Sequence, residues 1–211
     1  MGVLSWGCFR RTPQTPRSLR GSPPPNGGET VCSRIAERIT LPSPVGHALA
    51  ALALDRLTRR GEGQRRTLVL LAAALAPDLD LLLRFVDGRN HHQAESHSVG
   101  CALLAGRLVF ALARWRGWAG PAGLGLAACL GWLSHLGLDY LSLDTHPPIG
   151  LMALWPFSTA YFKSPWSLFL DIGRTLEWAT VRHDAVAVAW EIVVLAPFLC
   201  LARRLRAPER R

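Results

Sequence analysis

The chain has 211 residues, a hydrophobic fraction of 49% and a formal net charge of +9 at pH 7. Its mean hydropathy is +0.17 although the first forty residues are polar, so the remainder has the composition of a membrane protein. Lys163 is the only lysine, and the arginines cluster at the ends of apolar runs, which disfavours contact with nucleic acid and favours membrane-edge anchors.

The segment 1–40 is rich in arginine, proline, serine and glycine, as in RRTPQTPRSLRGSPPPNGG. This composition cannot bury a core, so we expect a disordered, flexible basic tail. No continuous apolar stretch follows its arginines, which argues against a cleaved secretory signal. The segment 41–206 is then expected to form one helical membrane domain.

Five apolar runs follow the tail. They occupy residues 41–57, 67–76 with an extension over 79–85, 99–113, 118–138 and 185–202. Most are near the ~20 residues that a bilayer-spanning helix needs, although the first two are marginal. The last three are apolar around their whole circumference, unlike surface helices. We therefore predict an all-α, polytopic transmembrane bundle of about five helices, with a soluble bundle of very apolar helices as the alternative.

Arginine clusters predict how these runs are oriented. The clusters are Arg59, Arg60, Arg65 and Arg66, then Arg114 and Arg116, then Arg203, Arg204 and Arg206. If successive runs cross the membrane, all three clusters lie on one face, which the positive-inside rule makes cytoplasmic. Arg34 and Arg38 precede the first run and oppose this orientation. Polar motifs at the other ends of the runs would then meet on the non-cytoplasmic side.

Histidines and aspartates stand at those other ends. They are His47, Asp78 and Asp80 in APDLD, His92 and His97 in HHQAESHS, and His135 and Asp139 in WLSHLGLDY. His135 and Asp139 are four residues apart, so they share one face of a helix and can reach one cation. A buried hydrogen bond between the two is the structural alternative.

The APDLD motif divides its two carboxylates between different roles. Pro77 disfavours helix at the residue before it, so the chain turns there. Asp78 and Asp80 would face opposite ways on a helix, which predicts one direct ligand and one residue that caps a helix or orients a histidine. We favour Asp80 as the ligand and keep Asp78 as a candidate catalytic base. Glu95 is a second candidate base, unless it is an ordinary exposed carboxylate.

The predicted ligands are therefore histidine and aspartate only: His47, Asp80, His92, His97, His135 and Asp139. The five cysteines are scattered without a C-x-x-C pair, which disfavours a thiolate site. Such a set suits zinc first, with manganese or iron as alternatives, and has enough ligands for one or two ions. It predicts metal-assisted hydrolysis with activated water at the membrane edge. A non-catalytic metal-binding protein for transport, sensing or bundle integrity is the alternative.

In these motifs the chain resembles the YdjM-like family of LexA-binding, inner-membrane-associated proteins, which are expected to be metal-dependent hydrolases. The family order G-H, P-D-[IL]-D, H-R-x-x-[ST]-H-S, H-x-x-x-D and Gly before W-P is matched over roughly residues 44–160. Gln93 stands where the family has arginine. The resemblance implies a multi-pass inner-membrane protein with a metal site.

The order His, Asp, His, His-x-x-x-Asp is also similar, more distantly, to that of zinc-dependent phospholipase C and P1-type nucleases. This similarity implies phosphoester hydrolysis, with a phospholipid or another phosphoester as the substrate. The expected partners are the lipid bilayer and such a substrate, and no pattern in the chain indicates a protein-binding site or an oligomeric state.

Overall fold

A computed structural model describes residues 42–58, 63–88, 91–144, 147–173 and 177–205. Within them the helices are α1 (Pro44–Thr58), α2 (Gly63–Leu75), a 3₁₀ helix (Pro77–Leu83), α3 (Arg84–Asp87), α4 (Val99–Trp115), α5 (Pro121–Tyr140) and α6 (Trp178–Leu205). These residues contain no strand, only isolated bridges between Ser142 and Phe169 and between Leu151 and Phe162. The predicted all-α class is confirmed for this part of the chain, whereas the predicted tail over 1–40 lies outside it.

Helix packing places α5 between two neighbours. It packs against α4 on one side and α2 on the other, while α1 packs against both α2 and α6. Glycines allow the close approaches, since a Cβ atom at Gly131 would lie 2.4 Å from the Leu70 carbonyl oxygen of α2. A Cβ atom at Gly125 would lie 2.8 Å from the Gly106 carbonyl oxygen of α4. Such small-residue contacts are typical of helices packed in membranes.

Two helices are long and apolar enough to cross a membrane. These are α5, with 20 residues, and α6, with 28 residues. The helices α1, α2 and α4 have 15, 13 and 17 residues and fall short of that length. The structure therefore supports two of the five predicted spans by length and composition, and the other three stay predictions.

The helix boundaries follow local sequence signals. Helix α2 ends at Leu75, and Pro77 opens the 3₁₀ helix that carries both aspartates, which confirms the predicted turn. Ser98 caps α4, because its side-chain oxygen accepts a hydrogen bond from the Cys101 backbone amide at 3.1 Å. These two boundaries place the aspartates and the histidine loop, residues 91–98, at neighbouring helix ends.

The described residues between α5 and α6, 141–144 and 147–173, form a long irregular segment that packs against the histidine loop. The Met152 amide donates to the Gln93 carbonyl at 3.0 Å, and the Val99 amide donates to the Ala153 carbonyl at 2.9 Å. Gln93 is itself buried and has a φ of 61°, which is uncommon for a residue other than glycine. The irregular segment thus holds the histidine loop in one conformation.

Candidate metal centre

The structure brings all the predicted metal ligands together at one end of the helices. His47 lies in the first turn of α1, Asp80 in the 3₁₀ helix, and His92 and His97 in the loop before α4, while His135 and Asp139 lie in the last turns of α5. Every one of these six side chains is buried. Asp78, from the 3₁₀ helix, joins them at the edge of the cluster, where its side chain is 17% exposed.

The Asp139 carboxylate lies at the centre of three imidazoles. Its Oδ1 is 3.4 Å from His47 Nε2, and its Oδ2 is 3.2 Å from His97 Nε2 and 3.1 Å from His135 Nε2. None of these pairs has hydrogen-bond geometry, since both Asp139 oxygens and both His47 nitrogens have no hydrogen-bond partner among the described residues. Each such buried polar atom costs about 1–3 kcal/mol, so converging donor atoms fit a shared cation.

His135 is oriented by the backbone of the neighbouring helix. Its Nδ1 lies 2.8 Å from the Ala74 carbonyl oxygen of α2 and donates to it. The ring therefore presents the lone pair of Nε2 to the cluster, where it lies 3.1 Å from His97 Nε2. The His47 ring stacks on it with centroids 3.9 Å apart. A histidine held by its far nitrogen is typical of metal ligands.

Asp80 holds two histidines by their Nδ1 atoms. Its Oδ1 is 3.0 Å from His92 Nδ1, and its Oδ2 is 3.1 Å from His97 Nδ1. The Ser96 hydroxyl donates to the same Oδ2 at 2.6 Å. Burial alone would raise the pKa of the Asp80 carboxyl, but the hydrogen bond from His92 and the adjacent His97 imidazole hold it well below its usual range. Asp80 thus contacts the Nδ1 atoms of two imidazoles, the position that carboxylates outside the ligand set occupy in metal sites.

Asp78 points its carboxylate towards the cluster. Its Oδ1 is 3.6 Å from His135 Nε2 and 3.9 Å from His97 Nε2, and this buried oxygen has no hydrogen-bond partner among the described residues. Burial raises the pKa of Asp78, and the nearby carboxylate of Asp139 adds to that effect. Its oxygen is thus placed as a ligand's would be.

Two adjoining groups of side chains have the spacing to hold a metal ion. One consists of His47, His135 and Asp139, and the other of Asp78, His92 and His97. Within each group the ligand atoms lie within 4.8 Å of one another. The donors are imidazole and carboxylate without thiolate, which fits zinc, manganese or iron. The described cysteines belong to neither group.

Glu95, His91 and His183 belong to neither group. The Glu95 carboxylate is exposed, so its role as a base stays a prediction. His91 Nε2 is 2.6 Å from Asp87 Oδ2, and His183 Nε2 is 3.2 Å from Asp171 Oδ1. His146 lies outside the described residues.

The structure also shows supporting residues that the sequence patterns did not reveal. The Trp132 indole of α5 donates to the Ser96 carbonyl at 2.8 Å, which joins the histidine loop to α5. The Gln93 amide nitrogen, when oriented to donate, lies 3.1 Å from the Gly150 carbonyl and 3.2 Å from Asp144 Oδ2. Glu191 of α6 does leave a sequence signal, because it interrupts the apolar run 185–202, where an acid is costly unless it has a role.

A family model described as YdjM inner membrane protein matches residues 44–207 of the chain. The chain belongs to this family. Neither the curated proteins nor the solved structures give a match. The predicted resemblance is confirmed, and membership implies that this YdjM-family protein is associated with the lipid bilayer of an inner membrane.

Proposed function

We propose that this YdjM-family protein is a membrane-bound, metal-dependent hydrolase. The observation that carries the proposal is the convergence of buried potential ligand atoms that have no hydrogen-bond partner among the described residues, namely both oxygens of Asp139, both nitrogens of His47 and Oδ1 of Asp78. Native proteins pair nearly all of their buried polar groups. Several such atoms in one cluster of histidines and aspartates therefore favour a bound cation over a structural polar network.

The proposed ligands are the members of the two groups: His47, Asp78, His92, His97, His135 and Asp139. The sequence favoured Asp80 as the ligand and Asp78 as a candidate base. This assignment makes Asp78 the ligand instead. Asp80 already accepts hydrogen bonds from His92 and Ser96 and lies 3.1 Å from His97 Nδ1, whereas Asp78 directs Oδ1 at the cluster. Asp80 is therefore proposed as the residue that orients His92 and His97.

The proposed chemistry follows from this donor set. One or two divalent cations, zinc first and manganese or iron as alternatives, would supply Lewis acidity to water and to a phosphoryl or acyl oxygen. Asp139 contacts three of the four histidines and would keep them in register. Glu95, in the same loop as His92 and His97, is the candidate base that takes a proton from the attacking water.

The accessible edge of the site favours a membrane-borne substrate. Asp78 is followed by a segment of strongly exposed apolar side chains, including Leu79, Leu82 and Phe85, the last of them 87% exposed. In an inner-membrane protein such side chains suit contact with lipid. A substrate that approaches Asp78 would then come from the bilayer surface, as a phospholipid or another membrane phosphoester does.

The orientation is proposed from the arginines. Arg114 lies in the last turn of α4, and Arg203 and Arg204 lie in the last turn of α6. If α1, α2 and α4 also cross the bilayer, these arginines lie opposite to the metal centre and are cytoplasmic. The metal centre would then be on the non-cytoplasmic side.

Metal content of the detergent-purified protein tests the proposal, measured by mass spectrometry with His135→Ala and Asp139→Ala beside it. We expect stoichiometric metal in the native protein and its loss in both variants. His91→Ala is the matched control, because this histidine pairs with Asp87 outside the cluster. Hydrolysis of phospholipids and soluble phosphoesters, with and without a chelator, then tests the activity. Native protein that stays metal-free after supplementation would refute the proposal.

A non-catalytic metal protein is the second candidate function. It is favoured by the deep burial of the cluster, since His47, His97 and His135 are fully inaccessible. Structural metal sites are closed, whereas catalytic sites keep an open position. Stoichiometric metal without hydrolysis of any lipid or phosphoester tested would support this candidate.

A further inference from the structure

Glu191 is a buried carboxylate in the interior of the membrane helix α6, and it contacts the start of α1. The Ser43 backbone amide donates to its Oε1 at 2.7 Å, and the Ser43 hydroxyl donates to its Oε2. The Ser43 hydroxyl in turn accepts a hydrogen bond from the Gly46 amide at 3.1 Å. The chain of contacts from α6 thus ends one residue before His47.

The backbone of α1 lies directly against this carboxylate. A Cβ atom at Gly46 would lie 2.7 Å from Glu191 Oε2 and 2.9 Å from its Cδ. A larger residue at position 46 would force the carboxylate to shift. A negative group at a helix N-terminus is also favoured by the exposed amides and the helix dipole. Among the described helices, α6 packs extensively on α1 alone, and this contact is part of that interface.

His47 is held differently from its neighbours in the cluster. His97 is held through Asp80, and His135 through the Ala74 carbonyl. Within the part of the chain that the structure describes, the His47 ring has no hydrogen-bond partner on either nitrogen, and it stacks on His135. The position of its ring therefore depends on where the backbone of α1 begins.

We infer that Glu191 is a positioning residue for the metal ligand His47, acting through Ser43 and the amide of Gly46. This inference rests on the proposed metal centre. It assigns to α6, which contributes no ligand to either group, a role in setting the geometry of the site. The alternative is that Glu191 only fastens α6 to α1 and affects stability alone.

Zinc affinity tests the inference, measured by chelator competition on the full-length protein in detergent. Residues that orient metal ligands without binding the metal contribute about 10–100-fold in metal affinity. We therefore expect a loss of that size in Glu191→Ala. Glu191→Gln keeps one oxygen for Ser43 and should recover part of the affinity. Trp190→Phe is the matched control, because it removes a hydrogen bond from α6 to the Leu168 carbonyl and leaves the hydrogen bonds between Glu191 and Ser43 in place.

A second readout separates positioning from stability. In the cobalt-substituted protein, Glu191→Ala should change the ligand-field spectrum in the same direction as His47→Ala, whereas Trp190→Phe should leave it unchanged. If Glu191→Ala does not fold, Ser43→Ala removes the hydroxyl link and should weaken zinc binding several-fold.

The outcomes of these measurements are distinguishable. Wild-type affinity and spectrum in folded Glu191→Ala, or in the Ser43→Ala substitute, would overturn the inference while leaving the metal centre intact. An equal loss in Trp190→Phe would also overturn it. Native protein without metal would overturn both the proposed centre and the inference.

Discussion

Asp78 and Asp80 show how two identical side chains, two positions apart, can acquire different roles. Asp80 is enclosed by His92, His97 and Ser96, so its oxygens accept hydrogen bonds and its pKa stays low. Asp78 directs at the cluster an Oδ1 that accepts no hydrogen bond from any described residue. The difference arises within the 3₁₀ turn that follows Pro77, because Asp80 lies against the Nδ1 atoms of the histidine loop whereas Asp78 faces Nε2 atoms of the cluster.

Substitution of each aspartate should therefore affect metal binding in a different way. Asp78→Asn removes a proposed ligand, so we expect both weaker binding and an altered ligand-field spectrum in the cobalt-substituted protein. Asp80→Asn should weaken binding by about 10–100-fold, because it loosens two ligands, but should keep the spectrum. A changed spectrum in Asp80→Asn with an unchanged one in Asp78→Asn would restore the assignment expected from the sequence.

The residues of the cluster could be predicted from the sequence because each stands at the end of an apolar run. Residues in such positions meet at one end of a bundle whatever the exact helix packing. The choice between Asp78 and Asp80 could not be predicted in this way. It depends on the hydroxyl of Ser96 and on the tautomers of two histidines, which sequence spacing does not determine.

The contact between α2 and α5 links packing to the metal centre. Gly131 allows α5 to touch the Leu70 carbonyl, one helical turn before Ala74, whose carbonyl holds His135. We expect Gly131→Ala to destabilise the protein by about 1–3 kcal/mol, because the added methyl group overlaps backbone. It should also lower metal affinity. Gly137→Ala on the same helix is the control, since a Cβ atom there meets nothing.

The measurements for this pair are thermal unfolding and zinc competition in detergent. Gly137→Ala should be neutral or up to about 1 kcal/mol more stable, because alanine favours helix over glycine. Gly131→Ala with unchanged unfolding temperature and zinc affinity would contradict the proposed link between this helix contact and His135.

The pair α1 and α2 is joined by a buried ion pair. Arg66 Nη1 donates to Asp55 Oδ1 at 2.6 Å, and the Thr67 hydroxyl donates to Asp55 Oδ2 at 2.9 Å. Removal of one partner leaves a buried charge, so Arg66→Met should cost about 3–5 kcal/mol. Asp55→Leu combined with Arg66→Met should restore most of the loss in chemical denaturation. A double variant as unstable as Arg66→Met would contradict this explanation.

The extent of α6 shows where hydropathy fails as a guide to helix boundaries. The apolar run predicted 185–202, whereas the helix covers Trp178–Leu205. At ~1.5 Å per residue, its 28 residues exceed the ~30 Å of a hydrocarbon core. Its first turns carry His183 and Asp184, which bond to Asp171 and to the Gly173 amide. Such polar turns contribute nothing to an apolar pattern, so the sequence could not predict them.

At the scale of the whole molecule, the proposed metal ligands and the arginines at the helix ends lie at opposite ends of the helices. The histidine loop and the irregular segment after α5 lie at one end, and the α4–α5 connection lies at the other. The buried arginine of the α1–α2 hairpin also lies in the first turns of α2, away from the aspartates that follow its last turn. One face of the membrane should therefore give access to the proposed site.

Cysteine labelling in a cysteine-free background tests that orientation. Thr159→Cys lies in the exposed loop on the side of the metal centre, and Ala119→Cys lies in the exposed α4–α5 connection. In spheroplasts, a membrane-impermeant maleimide should label Thr159→Cys directly and Ala119→Cys only after permeabilisation. The reverse pattern would place the metal centre on the cytoplasmic side without affecting its ligands, because the motifs meet at one end of the bundle in either orientation. In that case Arg34 and Arg38, rather than the later clusters, would have predicted the sidedness, and the lipid substrate would come from the inner leaflet.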